Sequence, residues 1–310
     1  MIPIRCENLS VAFRTVRAVD GLNLTVEEGA IYGLVGPNGA GKTTAIKSMM
    51  NIIGRTGGRA EIFGRDSRLI REQDFAQIGY VSENQDMPAW MTVEYLMHYL
   101  KPFYPTWDDA RATRLLEQFD LPPDRRLRHL SRGMLMKAAL ASSLAFRPRL
   151  LVLDEPFSGL DPFVREQLIE GVLESAEEST ILVSSHDLGE IETFASHIGY
   201  MDRGRLVLSE EMASLTGRFR EVEVTIDQRS DDKAADIDRD PRWPARWLRP
   251  EVSPAVVRFI DTSYDPEATV AEVRELFRGV RDISARPLPL RTIFLTIAGH
   301  SRSLSKGAAA

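Results

Sequence analysis

The sequence predicts an α/β fold, a mostly parallel sheet covered by helices, and three observations predict it. Short apolar runs at Ile31 to Val35, Leu150 to Leu153 and Ile181 to Ser184 are near-continuous, as strands buried on both faces are. Each run is followed by a polar or glycine-rich turn and then by a stretch with helical spacing, the alternation that parallel pairing requires. With 310 residues, 43% of them hydrophobic and 27% charged, the chain has enough apolar material for one full domain and a smaller one. Ligands of such sheets sit beyond the carboxyl ends of the strands, so the residues just after the three runs are the first place to look for chemistry.

The elements follow in order. Thr43 to Met50 reads as the helix after the first strand. Thr92 to Tyr104, Trp107 to Phe119 and Ser131 to Phe146 then have helical spacing, interrupted by Pro122-Pro123 and the cluster Asp124 to His129. They predict a helical subdomain inserted over about residues 84–148. After the third strand, Asp187 with Glu190 three residues on predicts a capped helix start. Beyond Gly217 the texture changes. Glu221 to Ile226 alternates like a strand, Arg229 to Pro250 is rich in Asp, Arg and Pro, and Thr269 to Phe277 has helical spacing. This predicts a small α+β domain over residues 218–310 behind a first domain over residues 1–217. Ser301 to Ala310 is expected to fray. Trp243 to Trp247 is either a docking patch or the small domain's own core, the core being better supported, and Met49, Met50, Met134 and Met136 read as packing.

Charge and composition exclude several classes. Against 45 acidic residues stand 39 basic ones, a net charge of −6, so no global positive field draws a phosphate backbone or an anionic lipid, and nucleic acid is not an expected partner. The single cysteine, Cys6, cannot form an intramolecular disulfide and reads as small core filler in a reducing compartment. Arg5 and Glu7 leave no apolar segment of the kind a secretion signal needs, and even Ala138 to Phe146 is broken by serines before Arg147. The expectation is a chain that stays where it is made and that needs another protein to span any membrane at which it works.

The turn after the first strand reads GPNGAGKT, from Gly36 to Thr43, in the strand-then-helix setting in which G-x-x-x-x-G-K-[ST] has its physical meaning. The small residues Gly36, Pro37, Asn38, Gly39, Ala40 and Gly41 let backbone N–H groups converge on one anion, toward which the next helix directs its positive end. Lys42 is then placed for terminal phosphates, Thr43 for a magnesium ion, and Thr44 as a further donor. The second strand ends in Asp154-Glu155: one acid suits the metal, and the next can orient the attacking water. The third delivers His186 to the same sheet edge, where imidazole can donate to the γ-phosphate or hold the water. His98, His129, His197 and His300 stand in no comparable setting.

With these residues in place, Leu130-Ser131-Arg132-Gly133-Met134 resembles the signature sequence of the nucleotide-binding subunits of ABC transporters, and the likeness covers about residues 4–216. Lys42, Ser131, Asp154 and His186 have that family's order, and Ser158-Gly159-Leu160-Asp161 resembles its D-loop. The resemblance implies a P-loop NTPase of the ABC type that binds ATP with Mg²⁺. It implies further nucleotide contacts from Phe13, which matches the aromatic that stacks on adenine, and from Ser131, Gly133 and Asp161. Thr43, Asp154 and Glu83 would serve the metal, and Glu155 and His186 the hydrolysis. It also implies a head-to-tail dimer, of two copies or of this chain with a paralogue, each ATP lying between the phosphate loop of one subunit and the signature of the other, that powers a separate transmembrane permease from the cytoplasmic face of the membrane.

Two departures from the pattern stand out. The family's glutamine after the strand Ile78 to Ser82 falls at Glu83, with Gln85 two positions on, and the sequence leaves open which of them serves. Arg132 and Met134 replace glycine and glutamine, which resembles a branch of two-component exporters; Arg132 either aids nucleotide charge or faces solvent. The rival readings fit less well. Soluble ABC-type ATPases acting on nucleic acid or ribosomes usually carry a coiled coil or a second such domain, and a small-molecule kinase has no use for a signature helix.

Overall fold

The computed structural model describes residues 2–83, 85–176, 178–227 and 243–297, and the chain divides into two units, Met1–Glu210 and Glu211–Ala310. The first opens with the hairpin β1 (Ile4–Phe13) and β2 (Val16–Val26), then β3 (Ile31–Val35), α1 (Lys42–Met49), β4 (Gly57–Ile62) and β5 (Arg65–Asp66). Next come α2 (Glu72–Phe75), β6 (Ile78–Ser82), α3 (Val93–Leu100), α4 (Asp109–Gln118) and α5 (Arg132–Leu144). It closes with β7 (Leu150–Asp154), α6 (Pro162–Ala176), β8 (Thr180–Ser185), α7 (Leu188–Glu192), β9 (His197–Asp202) and β10 (Arg205–Glu211), whose last residue is across the division.

The three apolar runs are the strands β3, β7 and β8 of a six-stranded sheet ordered β10-β9-β3-β8-β7-β6. Within it β6–β7, β7–β8, β8–β3 and β3–β9 are parallel. Every residue of β3, β7 and β8 is buried, the physical counterpart of their unbroken hydrophobicity. The sequence reading does not anticipate a second sheet, antiparallel and ordered β2-β1-β4-β5. Its alternation is obscured because the β1–β2 pairing changes register three times, so buried residues fall at irregular spacing along β1. Side chains of both sheets and of α1, among them Leu9, Leu22, Tyr32, Ile46, Met49, Met50 and Val152, form one cluster. Cys6 belongs to it, and burial pushes its thiol up to about 12, leaving it inert.

The helical segment lies between β6 and β7. Thr92, Asp108 and Ser131 cap α3, α4 and α5 by accepting from the backbone N–H groups of Tyr95 (3.2 Å), Arg111 (2.9 Å) and Met134 (3.2 Å). The first helix ends earlier than its apolar spacing suggests, because Lys101–Phe103 tightens into a 3₁₀ turn. Tyr104 beyond it stacks on Phe146 at 3.8 Å. At α7 the expected reciprocal cap is absent. Asp187 does accept from Gly189 N–H (2.9 Å), but Glu190 accepts from the Ser185 hydroxyl (2.7 Å), which itself accepts from Asp187 N–H (2.9 Å).

The second unit begins before the expected 217/218 boundary. It contains α8 (Met212–Arg218), whose last carbonyl accepts from Tyr264 N–H at 2.8 Å. The strands β11 (Arg220–Ile226), β12 (Trp247–Val252), β13 (Val256–Asp261) and β14 (Val280–Pro287) form an antiparallel sheet ordered β12-β13-β11-β14. Against it lies α9 (Pro266–Leu276), capped by Asp265, and residues 290–297 are helical. Trp243 and Trp247 are core: Trp247 stacks on Phe259 at 4.0 Å, and Trp243 meets Trp247, Phe259 and Phe277 edge-on. The buried Asp261 accepts from Trp247 Nε1 (3.0 Å), Thr269 Oγ1 (2.8 Å) and Arg246 Nε (3.2 Å), so the acid in this core is fully partnered. Residues 228–242, which hold most of the Asp-, Arg- and Pro-rich stretch, and the expected frayed end Ser301–Ala310 lie outside the described residues.

Candidate functional site

The glycine-rich turn joins β3 to α1, at the carboxyl edge of the parallel sheet. Gly41 ends it with φ 103°, a conformation that costs other residues energy, and a Cβ there would lie 2.3 Å from the Ala18 carbonyl. A Cβ on Gly36 would lie 2.2 Å from the Met201 carbonyl. The loop therefore passes between two backbone segments that leave no space for side chains. No side chain caps α1, so the first N–H groups of the helix remain to be met by a ligand. A cleft of about 610 Å³ opens here, lined by Phe13, Ala18, Asn38, Gly39, Ala40, Gly41, Lys42, Thr43 and Thr44 on one side. Glu83, Glu155, Ser158 and His186 line it from the other strands. Phe13 is the last residue of β1 and is 52% exposed, an apolar ring at the rim.

Three carboxylates meet at the ends of β6 and β7, and each has its own partner. Asp154, 2% exposed, accepts from the Thr43 hydroxyl (2.9 Å) and the Ser184 hydroxyl (2.8 Å) on the same oxygen. Burial holds its carboxyl above the usual range, against the two hydroxyl hydrogen bonds. Glu155 is paired on both oxygens, with Lys42 Nζ at 3.0 Å and with His186 Nδ1 at 2.8 Å. Its backbone is left-handed (φ 53°), and its N–H donates to Ser184 Oγ at 2.9 Å. Glu83 pairs with Arg132. Lys42, 5% exposed, also donates to the Gly36 carbonyl at 2.6 Å, a cation held inside the cradle that a phosphate would fill. As a metal site the donor set fits a hard divalent cation: a carboxylate and a hydroxyl oxygen already in contact, where among the described residues no cation is in direct contact with the buried carboxylate.

Residues 19–158 match the family described as "ABC transporter". Over 312 residues the chain is 34% identical to the daunorubicin resistance ATP-binding protein DrrA2 of Streptomyces coeruleorubidus, spanning 96% of this chain and 95% of that one. The chain belongs to the ABC transporter ATP-binding proteins. The bacitracin transport ATP-binding protein BcrA of Enterococcus faecalis is 32% identical over 221 residues, 70% of this chain and 72% of that one. A solved ATP-binding subunit of an ABC transporter superposes with a TM-score of 0.65 at 25% identity, covering 70% of this chain and 92% of the other. This ABC protein is thus an ATP-binding and ATP-hydrolysing subunit. Among its described residues no helix is long and apolar enough to cross a membrane.

The remaining sequence-named residues stand apart from the ABC subunit's cleft. Ser131 and Gly133 do not line it: Ser131 caps α5, and Gly133 is buried where a Cβ would lie 2.9 Å from Val164, so close packing alone accounts for that glycine. Asp161 accepts from Val164 N–H at 3.0 Å and holds the start of α6. Of the two candidates after β6, Glu83 lines the cleft, whereas Gln85 lines a separate cavity with Met50, Phe75 and Tyr104. Arg132 neither faces solvent alone nor reaches the cleft; it pairs with Glu83. Sequence reasoning missed Ser184, which joins Asp154 to the Glu155 backbone. Its signal was two adjacent serines closing an otherwise apolar strand, hydroxyls that burial obliges to find partners.

The raised carboxyl of Asp154 has a consequence for stability. Folding favours its neutral form, so this contribution is complete below about pH 4, the unfolded range of aspartate, and is lost as pH rises through the folded value. Asp154→Asn keeps an oxygen for the Thr43 and Ser184 hydroxyls and removes the charge. The nucleotide-free variant should therefore melt higher than the unaltered protein at pH 8, with the gap closing towards pH 4. A lower melting temperature at pH 8 contradicts the assignment.

Proposed function

We propose that this subunit binds Mg²⁺–ATP in the cleft beyond β3, β7 and β8, pairs head to tail with a second ATP-binding subunit, and powers a separate transmembrane permease, most simply an exporter. In this reading residues 1–217 are the ATP-binding module and residues 218–310 an accessory domain, and the subunit works at the cytoplasmic face of the membrane through the permease. The observation that carries the reading is the convergence, in one cleft, of the phosphate loop, of Thr43 backed by the buried Asp154, and of Glu155 held by Lys42 and His186. The nearly full-length likeness to a drug-resistance ATP-binding protein, which extends through the second unit, supports the exporter role.

The chemistry assigned to each residue follows from its surroundings. Lys42 and the first N–H groups of α1 bind the β- and γ-phosphates, and Phe13 offers its ring to the adenine. Thr43, Asp154 and Glu83 would hold Mg²⁺, which when bound offsets the charge of the phosphate oxygens. Glu155 orients the attacking water, and His186, hydrogen-bonded to it, holds its carboxylate in place. Water adds to the γ-phosphorus, the bond to the β-phosphate oxygen breaks, and ADP and phosphate leave. Ser131 and the start of α5, outside their own chain's cleft, are available to the triphosphate of a second copy, with Asp161 at the start of α6, where Val164 packs on Gly133; closing the pair would exclude water from both sites.

The test is co-purification of the tagged subunit from native membranes in mild detergent. A stoichiometric partner with several membrane-spanning helices is expected. Association with ribosomes or DNA in its place refutes the transport reading.

A further inference from the structure

The ion pair between Glu83 and Arg132 crosses from the loop after β6 to the first residue of α5. Glu83 is set by the sheet itself: its N–H donates to the Asp154 carbonyl (3.0 Å), and Ser82 is in register with Asp154. Glu83 therefore stands beside Asp154 and Glu155: Glu83 and Glu155 line the cleft itself, and the buried Asp154 lies directly behind them, so a triphosphate entering it meets crowded negative charge. Lys42 and His186 serve Glu155, and hydroxyls serve Asp154. Among the described residues Arg132 is the one cation paired with Glu83. The guanidinium also lies against Gly159 in the loop after β7, where a Cβ would come within 2.9 Å of its Nη1, so one side chain touches the loops that follow both strands. With side-chain exposures of 51% for Arg132 and 28% for Glu83, the pair is near the surface, and such pairs break at little cost.

We propose that Arg132 is a positioning residue for Glu83: it neutralises and holds that carboxylate in the nucleotide-free subunit, and it yields it to the divalent cation when Mg²⁺–nucleotide enters. This rests on the Mg²⁺–ATP reading of the cleft. Arg132 thereby sets how strongly nucleotide binding depends on metal. While the pair is intact, bare ATP meets one negative charge fewer; once it opens, Glu83 is free for the cation. The arginine and the acid then form a compensating couple, and either change alone is expected to unbalance the site in the opposite sense.

The experiment is calorimetric titration of the full chain with ATP in excess EDTA and with ATP in excess Mg²⁺, read as the ratio of the two affinities. Arg132→Gln should weaken metal-free binding about 3- to 10-fold, widening the ratio by that factor, whereas Glu83→Gln should narrow it. In the double variant the ratio should equal that of Glu83→Gln alone, because Arg132 acts only through Glu83. Arg132→Lys keeps the charge and should stay near the unaltered ratio. If Arg132→Gln shifts the ratio equally with and without Glu83, it acts on the nucleotide directly and the proposal falls. It falls equally if no single variant moves the ratio. Should Arg132→Gln fail to fold, Glu83→Gln and Arg132→Lys decide the matter by the same ratio. If the unaltered chain binds no ATP in either buffer, the nucleotide reading itself has failed. The pairing is then judged by low-salt thermal melts of the four nucleotide-free proteins, in which the double variant should lose less than the sum of the single losses; additive losses overturn it.

Discussion

Glu155→Gln is expected to lower steady-state ATP hydrolysis by about 100-fold or more while ATP binding persists and tightens. The loss follows from the chemistry: an amide cannot draw a proton from the attacking water, and its neutral oxygen orients that water more weakly than a carboxylate does. The gain in affinity follows from the geometry. In the nucleotide-free subunit Lys42 Nζ lies 3.0 Å from Glu155 Oε1, so a phosphate must compete with a carboxylate for the same ammonium. Removing that charge removes the competitor. The left-handed backbone at position 155 (φ 53°) is held by the Ser184 hydroxyl and suits glutamine no worse than glutamate, so the fold should be retained. Phosphate-release kinetics and calorimetry check both halves. Undiminished turnover refutes Glu155 as the water-orienting group, and unchanged affinity refutes the competition for Lys42.

Lys42→Ala should have the opposite signature, weakening ATP binding about 10- to 100-fold, the worth of charge-assisted hydrogen bonds to phosphate. It should also destabilise the free protein. Glu155, 12% exposed at its side chain, would be left with His186 as its one side-chain partner among the described residues, at a cost of about 1–3 kcal/mol. The two effects separate in the double variant with Glu155→Gln: removing the orphaned charge should restore the melting temperature, while affinity stays low because the phosphate partner is still missing. Unchanged ATP affinity in Lys42→Ala by calorimetry would mean that the glycine turn is not a triphosphate cradle.

The parallel sheet was legible because each of its central strands is buried on both faces and so is written as an unbroken apolar run. The residues just after those runs, Lys42, Asp154, Glu155 and His186, could be named because they are local to a strand end. The antiparallel sheet was not legible, since the changes of register between β1 and β2 break the alternation that would announce it. That α8 groups with the second unit was not legible, because it is assigned by what it contacts, such as the hydrogen bond from Tyr264, and not by its composition.

What the chain determined by itself is the identity and order of the groups that can meet a triphosphate, because turn chemistry, capping and strand burial act within a few residues. What only the tertiary structure decided is the pairing of charges: Lys42 with Glu155, Arg132 with Glu83, and Ser184 bridging Asp154 to the Glu155 backbone. These partners are far apart in sequence, and a buried or crowded charge takes whichever counterpart packing brings within reach. The strand order that brings β6, β7, β8 and β3 side by side is therefore what made one cleft of separate motifs.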